Sequence, residues 1–330
     1  LLFSLLCNGQ SPKLFTTDKE LSSSLINQIY QDRNGFIWIA TEDGLNRYDG
    51  AKFTIYKHEP NNEHSLAHNF VRTVFEDSKG HLLIGTYIGI QMYDPATDNF
   101  TPLAKLEDTG ETLESNINSF IERKNGEIWV SGNVLCKLDI KDHLLTVRKV
   151  DIAVTSPGSL FEDKKQNVWM AKGEEGVYQL TPDNQLTLHL SKDNGYVKSI
   201  CEDQRGNIYV GSIRKGLFIY DKERKTFVPI DLKEKGELPV CFLYSGIPNE
   251  LYIGTDGKGV VIYNIRTHEI SEYKFDNNYF DSGNSKIHSI LKDNSGNLWL
   301  AVYQKGVILI PARTNSFKSV SYTHLRAHET

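Results

Sequence analysis

Ile29-Tyr30-Gln31-Asp32-Arg33-Asn34-Gly35-Phe36-Ile37-Trp38-Ile39-Ala40-Thr41-Glu42-Asp43-Gly44 is the stretch on which the whole chain aligns. Ile29 to Asp32 reads as a strand and Arg33-Asn34-Gly35 as a tight turn. Phe36 to Thr41, rich in β-branched and aromatic residues, is a second strand, and Glu42-Asp43-Gly44 is a second turn. Leu45 to Asp49 and Lys52 to Tyr56, separated by Gly50-Ala51, supply two more strands. Equivalents of Trp38 fall at Leu83, Trp129, Trp169, Tyr209, Tyr252 and Trp299, in steps of 45, 46, 40, 40, 43 and 47 residues. No helical periodicity separates them, so the period is that of four-stranded propeller blades and not of helical repeats. A single four-stranded meander cannot bury both of its faces, and stacking seven of them in a ring does so. The predicted fold is therefore all-β: a seven-bladed β-propeller of four-stranded antiparallel blades, with repeats near 25–59, 69–103, 116–150, 155–190, 195–230, 238–273 and 285–320.

Three positions recur within the repeat. Asp32 returns as Asp77, Asp163, Asp203 and Asp293, with Arg123 and Gly246 breaking the series; Asp before a turn accepts backbone N–H bonds, so these read as turn builders. Gly35 returns as Gly80, Gly126, Gly206 and Gly296, which predicts a positive φ, with Gln166 and Asn249 in its place elsewhere. Trp38, Trp129, Trp169 and Trp299 share one position, where a large side chain wedges between blades.

The composition is that of an ordinary globular protein, 39% hydrophobic and 24% charged, with a net charge of -5 and no concentration of Lys or Arg, which speaks against a nucleic-acid partner. Cys7, Cys136, Cys201 and Cys241 lie far apart without metal or redox spacing and read as isolated thiols. Residues 1–9 read as the remnant of a secretory signal, the propeller as 10–320, and the tail 321–330 as non-native because it fits no repeat position. Lys13-Leu14-Phe15 aligns with the outer strands and so does the segment around Phe317, leaving one outer strand too many. Either Phe15 closes the seventh blade or Phe317 does, and both readings point to a parent chain that continues.

The first repeat, and its echoes in Glu76-Asp77-Ser78-Lys79-Gly80 with Ile84-Gly85-Thr86 and in Leu291 to Ala301, resembles the two-component regulator propeller repeat. The resemblance covers about residues 13 to 320. It implies the periplasmic sensor region of a hybrid two-component histidine kinase anchored in the inner membrane, signalling as a dimer and responding to glycan fragments, with kinase and membrane helix in missing downstream sequence. No kinase phosphoacceptor region, glycine box or Walker-type loop occurs in the 330 residues, so no catalytic residue, cofactor or metal is expected here. Alternatives are the sensor of a diguanylate cyclase, a secreted propeller hydrolase, lyase or lactonase, and a scaffold propeller.

In a propeller, the hairpin between second and third strands shares a face with the connections between blades, and ligands bind around the channel on that face. Arg214-Lys215-Gly216, Gly257-Lys258-Gly259 and Gln304-Lys305-Gly306 place Lys215, Lys258 and Lys305 in one slot of three successive blades, with Arg214 beside the first. The expectation is a basic arc facing Glu175 and Asp43 and receiving an anionic group such as a uronate or sulfate. Tyr87 and Tyr303 on the same face are candidate stacking platforms for a sugar ring. Solvated lysines beside turn glycines are the simpler alternative.

Overall fold

A computed structural model describes residues 11–190, 195–232, 238–275 and 279–312. The described residues form seven antiparallel sheets that follow one another around a ring. Blade 1 consists of an inner strand Ile26–Gln31, a second Ile37–Thr41, a third Gly44–Tyr48 and an outer strand Phe53–Tyr56, paired in that order. Blades 2 to 6 repeat the pattern, with inner strands Val71–Glu76, Ser119–Glu122, Leu160–Glu162, Val197–Glu202 and Val240–Ile247. Blade 3 has one addition: Lys105–Leu106, from the long connection after blade 2, runs parallel to the outer strand Leu144–Lys149 and covers its free edge.

Blade 7 is built from both ends of the described chain. Ile287–Lys292, Leu298–Val302 and Gly306–Ile310 give its first three strands, and Lys13–Phe15 is the fourth, in register Lys13 to Leu309 and Phe15 to Val307. Phe15 is therefore the closing residue, fully buried and stacked on Trp299 with ring centroids 5.8 Å apart. Gly306 makes this fit possible, because its φ is 111° and a Cβ there would lie 2.1 Å from the Phe15 carbonyl oxygen. Phe317, residues 1–9 and the tail 321–330 lie outside the described residues.

Each apolar cluster joins two neighbouring blades. Trp38, Leu45, Val71, Ile84 and Phe100 fill the seam between blades 1 and 2, while Phe15, Ile29, Ile39, Trp299 and Val307 fill that between blades 7 and 1. The alternation along the strands dictates this arrangement: second strands such as Ile37–Thr41 are buried along their whole length because both of their faces meet another blade.

The turn after each inner strand confirms and extends the sequence reading. Asp163 Oδ1 accepts the backbone N–H groups of Lys165 and Asn167, and its Oδ2 accepts the Asn167 amide and the Trp169 indole N–H. Gly35, Gly80, Gly126, Gly206 and Gly296 all have positive φ, as do their replacements Gln166 and Asn249. In blade 3, where Arg123 replaces Asp, the Trp129 indole donates to Glu127 at 3.0 Å, and the Arg123 guanidinium lies 4.6 Å from the Trp129 ring centre.

On the same face, the residue preceding the Asp ties blades together. Glu76 accepts the Arg33 backbone N–H at 2.7 Å, Glu122 that of Ser78 at 2.6 Å, Glu162 that of Lys124 at 2.7 Å, and Gln31 that of Asn294 at 2.7 Å across the ring closure. These carboxylate and amide latches satisfy backbone donors that the turns leave free.

Candidate functional site

The inner strands carry the same irregularity in five blades. Pairing with the second strand shifts register between Ile26 and Gln28, Val71 and Thr73, Val197 and Ser199, Val240 and Phe242, and Ile287 and Ser289. A β-bulge leaves one residue unpaired and re-aims its side chain. Here that residue is Asn27, Arg72, Lys198, Cys241 or His288, and Asn118 holds the same place in blade 3. All six line one cavity of about 840 Å³ at the mouth of the central channel.

After three of the bulges, and at the matching place in blade 3, the next residue does structural work. Ser289 Oγ accepts the Ile29 N–H at 3.2 Å, Gln28 Oε1 that of Val74 at 2.6 Å, Ser119 Oγ that of Leu160 at 3.3 Å and Ser199 Oγ that of Leu243 at 3.1 Å. The free edge of each of these inner strands is thus capped from the preceding blade, and the bulged residues are left to face the channel.

The mouth is charged and asymmetric. Lys172 pairs with Glu175 at 2.8 Å and Arg214 with Glu174 at 3.5 Å, so the acidic side of the rim is neutralised locally. Arg72 and Lys198 make no ion pair among the described residues. Burial lowers the Arg72 guanidinium from its ordinary value, opposed by the fields of Tyr196 and Glu42. His288 is pushed down to about 4, first by burial and then by the positive charge of Lys198, and is neutral at pH 7. Tyr196, 43% exposed, lies over Gly173, where an added Cβ would come within 3.1 Å of its ring.

The residues expected to bind ligand are placed around this mouth, not inside it. Hairpin residues bond to the segments that lead into the inner strands, as in Tyr87 N–H to Phe70 O and Tyr303 N–H to Lys286 O, so hairpins and mouth share a face. Tyr303 packs on His288 at 4.9 Å and thereby borders the mouth, with the Lys286 ammonium 5.8 Å from its ring centre. Tyr87, 54% exposed, lines a separate hollow of about 590 Å³ with Leu103, Glu114 and Asn116. Arg214 and Lys215 line a third hollow of about 450 Å³ beside Pro239. Lys215, Lys258 and Lys305 occupy equivalent hairpins but are not among the described residues that line the mouth. Asp43, expected to face them, is paired with Lys57 at 2.6 Å, and Glu175 with Lys172.

Cys136, Cys201 and Cys241 are buried free thiols, and burial raises Cys136 to about 11 and Cys201 to about 12. Among the described residues, no group of three or more His, Cys, Asp or Glu side chains could hold a metal, and no helix is long and apolar enough to cross a membrane.

The sequence model of the family described as "Two component regulator propeller" matches residues 20–43, 65–87 and 191–214. Histidine kinase P4 of Formosa agariphila is 42% identical over 55 residues, which are 17% of this chain and 4% of that protein. Among solved structures, an extracellular domain assigned to a hybrid two component system of B. thetaiotaomicron superposes with a TM-score of 0.77 at 20% identity, over 91% of this chain and 41% of that one. Virginiamycin B lyase from Staphylococcus aureus superposes with a TM-score of 0.68 at 13% identity, over 91% and 99%. The chain therefore spans well under half the length of the sensor proteins it matches, and at these identities the structural likenesses establish the fold alone. The matched segments take in the inner strand, turn and second strand of blades 1, 2 and 5, and over them the chain is similar to the two-component regulator propeller family.

Proposed function

We propose that this propeller is the extracytoplasmic, periplasmic ligand-sensing part of a signalling receptor whose output is a hybrid two-component histidine kinase, and that its ligand is an anionic glycan fragment bound at the channel mouth. The observation that carries the reading is the recurrent bulge. It places Asn27, Arg72, Lys198 and His288 around one cavity, joined by Asn118 from blade 3; Asn27 and Asn118 donate their amide N–H to Val71 O and Pro157 O of the next blade, while the Arg72 and Lys198 side chains make no ion pair among the described residues. Arg72 and Lys198 supply charge for a uronate or sulfate, neutral His288 and the two asparagines supply hydrogen bonds to hydroxyls, and Tyr196 and Tyr303 offer ring faces. Lys215, Lys258 and Lys305 on the same face extend the positive field outward. Partial identity to a histidine kinase supports the output assignment.

Calorimetric titration of the purified chain with acidic and neutral oligosaccharides tests this. Arg72→Ala together with Lys198→Ala is expected to weaken binding of the acidic ligand at least 30-fold and to abolish its dependence on ionic strength. Unchanged affinity in the double variant refutes the site.

A further inference from the structure

The face opposite the mouth contains two related aromatic seams, one filled by a paired Arg47–Asp98 and one open and lined by lysines. Between blades 1 and 2, the Arg47 guanidinium sits 5.3 Å from the ring centre of Phe36, 5.7 Å from Trp38, 5.5 Å from Tyr56 and 5.7 Å from Tyr93. It pairs with Asp98 at 3.0 Å, and Asp98 Oδ1 also accepts the hydroxyls of Tyr56 and Tyr93, each at 2.6 Å. Asp98 stands at a left-handed corner, φ 57°, before the outer strand of blade 2. Blade 6 repeats the idea, with the Tyr263 hydroxyl 2.6 Å from Nδ1 of His268, φ 60°.

Between blades 4 and 5 the frame is conserved in register, but its charges are not. Gln179 lies opposite Trp169 as Arg47 lies opposite Trp38, and Tyr220 lies opposite Phe227 as Tyr93 lies opposite Phe100. His189 packs on Trp169 at 5.3 Å as Tyr56 does on Trp38 at 5.9 Å. The left-handed corner, φ 53°, is Lys225, two residues before Phe227 just as Asp98 precedes Phe100. The boxed cation is absent, and the acceptor for the tyrosine hydroxyl has become an ammonium donor. Among the described residues, the Tyr220 hydroxyl makes no hydrogen bond and Lys165, Lys222 and Lys225 make no ion pair. An open cleft of about 460 Å³ results, lined also by Lys164 and Arg205. Of its two carboxylates, Asp163 is committed to its four donors and Glu202 faces the Lys164 N–H at 3.4 Å.

We propose that the cleft between blades 4 and 5 is a second binding site, independent of the mouth, for the carboxylate of a small molecule of sugar-acid size. The carboxylate takes the place that Asp98 holds in the related cleft. The Tyr220 hydroxyl donates to it as Tyr93 does to Asp98, and Lys225, with Lys222 and Lys165 at the rim, supplies the charge.

The test is titration of the chain with glucuronate, glucose and sulfate at low ionic strength, run in parallel on the Arg72→Ala/Lys198→Ala variant so that the mouth contributes nothing. Saturable glucuronate binding is expected in both backgrounds. Lys225→Asp, which supplies the missing carboxylate from the protein, is expected to weaken it at least 10-fold, and Tyr220→Phe several-fold. Should Lys225→Asp fail to fold, Lys225→Asn keeps a residue suited to the corner, removes the charge, and is expected to weaken binding at least 5-fold. No saturation in the double-variant background, equal binding of glucose or of sulfate, or unchanged affinity in the Lys225 variants overturns the assignment.

Discussion

The indole N–H of Trp38 donates to Asp32 Oδ2 at 2.8 Å, and the same bond joins Trp169 to Asp163 and Trp299 to Asp293 at 2.9 Å. One carboxylate thus folds the turn after the inner strand and anchors the ring that fills the seam between blades.

Asp163→Ala removes an acceptor used by four donors in a buried site. Each unsatisfied buried donor costs about 1–3 kcal/mol, so a loss of roughly 3 kcal/mol or more is expected in denaturant unfolding. Asp163→Asn, which keeps one acceptor oxygen, is expected to lose less. A change below about 0.5 kcal/mol in the alanine variant would mean that water satisfies the turn.

Ring closure rests on a short strand, so Phe15→Ala is expected to destabilise the protein by about 3–5 kcal/mol, as for other large aromatic truncations in cores. The diagnostic result is local. Amide exchange should accelerate first in Gly306–Ile310, the strand that Lys13–Phe15 covers. Uniform acceleration over all blades would contradict a seam-specific role.

His288 gives the stability a pH dependence of known sign. An unfolded histidine binds a proton below about 6.5, whereas the folded one resists until about 4. Between those values the unfolded state holds the extra proton, so stability from this group is retained above about pH 6.5 and falls as the pH drops toward 4. His288→Asn is expected to flatten that slope. Equal losses between pH 7 and pH 5 in both proteins would show that the side chain is not shielded.

Arg47→Gln converts the seam between blades 1 and 2 toward the residue found at Gln179. It removes a largely buried cation from four aromatic rings and from Asp98, for an expected loss of about 2 kcal/mol read from the thermal midpoint. A neutral outcome would make the aromatic box, and not the cation, the stabilising element.

The repeat was legible because its turn chemistry is local: Asp32, Gly35 and Trp38 recur at fixed offsets, and each obeys a rule that one residue type satisfies. The second role of Asp32 as indole acceptor was implicit in its spacing to Trp38, and the latch in the acidic residue preceding the Asp. The mouth was not legible, because a bulge is a property of pairing between strands. Its residues, Asn27, Arg72, Asn118, Lys198, Cys241 and His288, share a place without sharing a chemistry. The hairpin lysines stand out in the sequence for the opposite reason, having a common chemistry in a common slot. Phe15 and Phe317 were equivalent as strings, and the register of Lys13–Phe15 against Gly306–Ile310 places Phe15 in the ring.

The pairing of Phe15 with Val307 also sets an order of events during synthesis. Lys13–Phe15, made long before the other three strands of its blade, has no partner until blade 7 has been made, so it must wait while six blades form from contacts between near neighbours in the chain. Closure is the step with the longest loop and therefore the slow one. Until it happens, the third strand of blade 7 exposes an unpaired edge, and the nascent propeller is most exposed to mispairing with another copy just before it is complete.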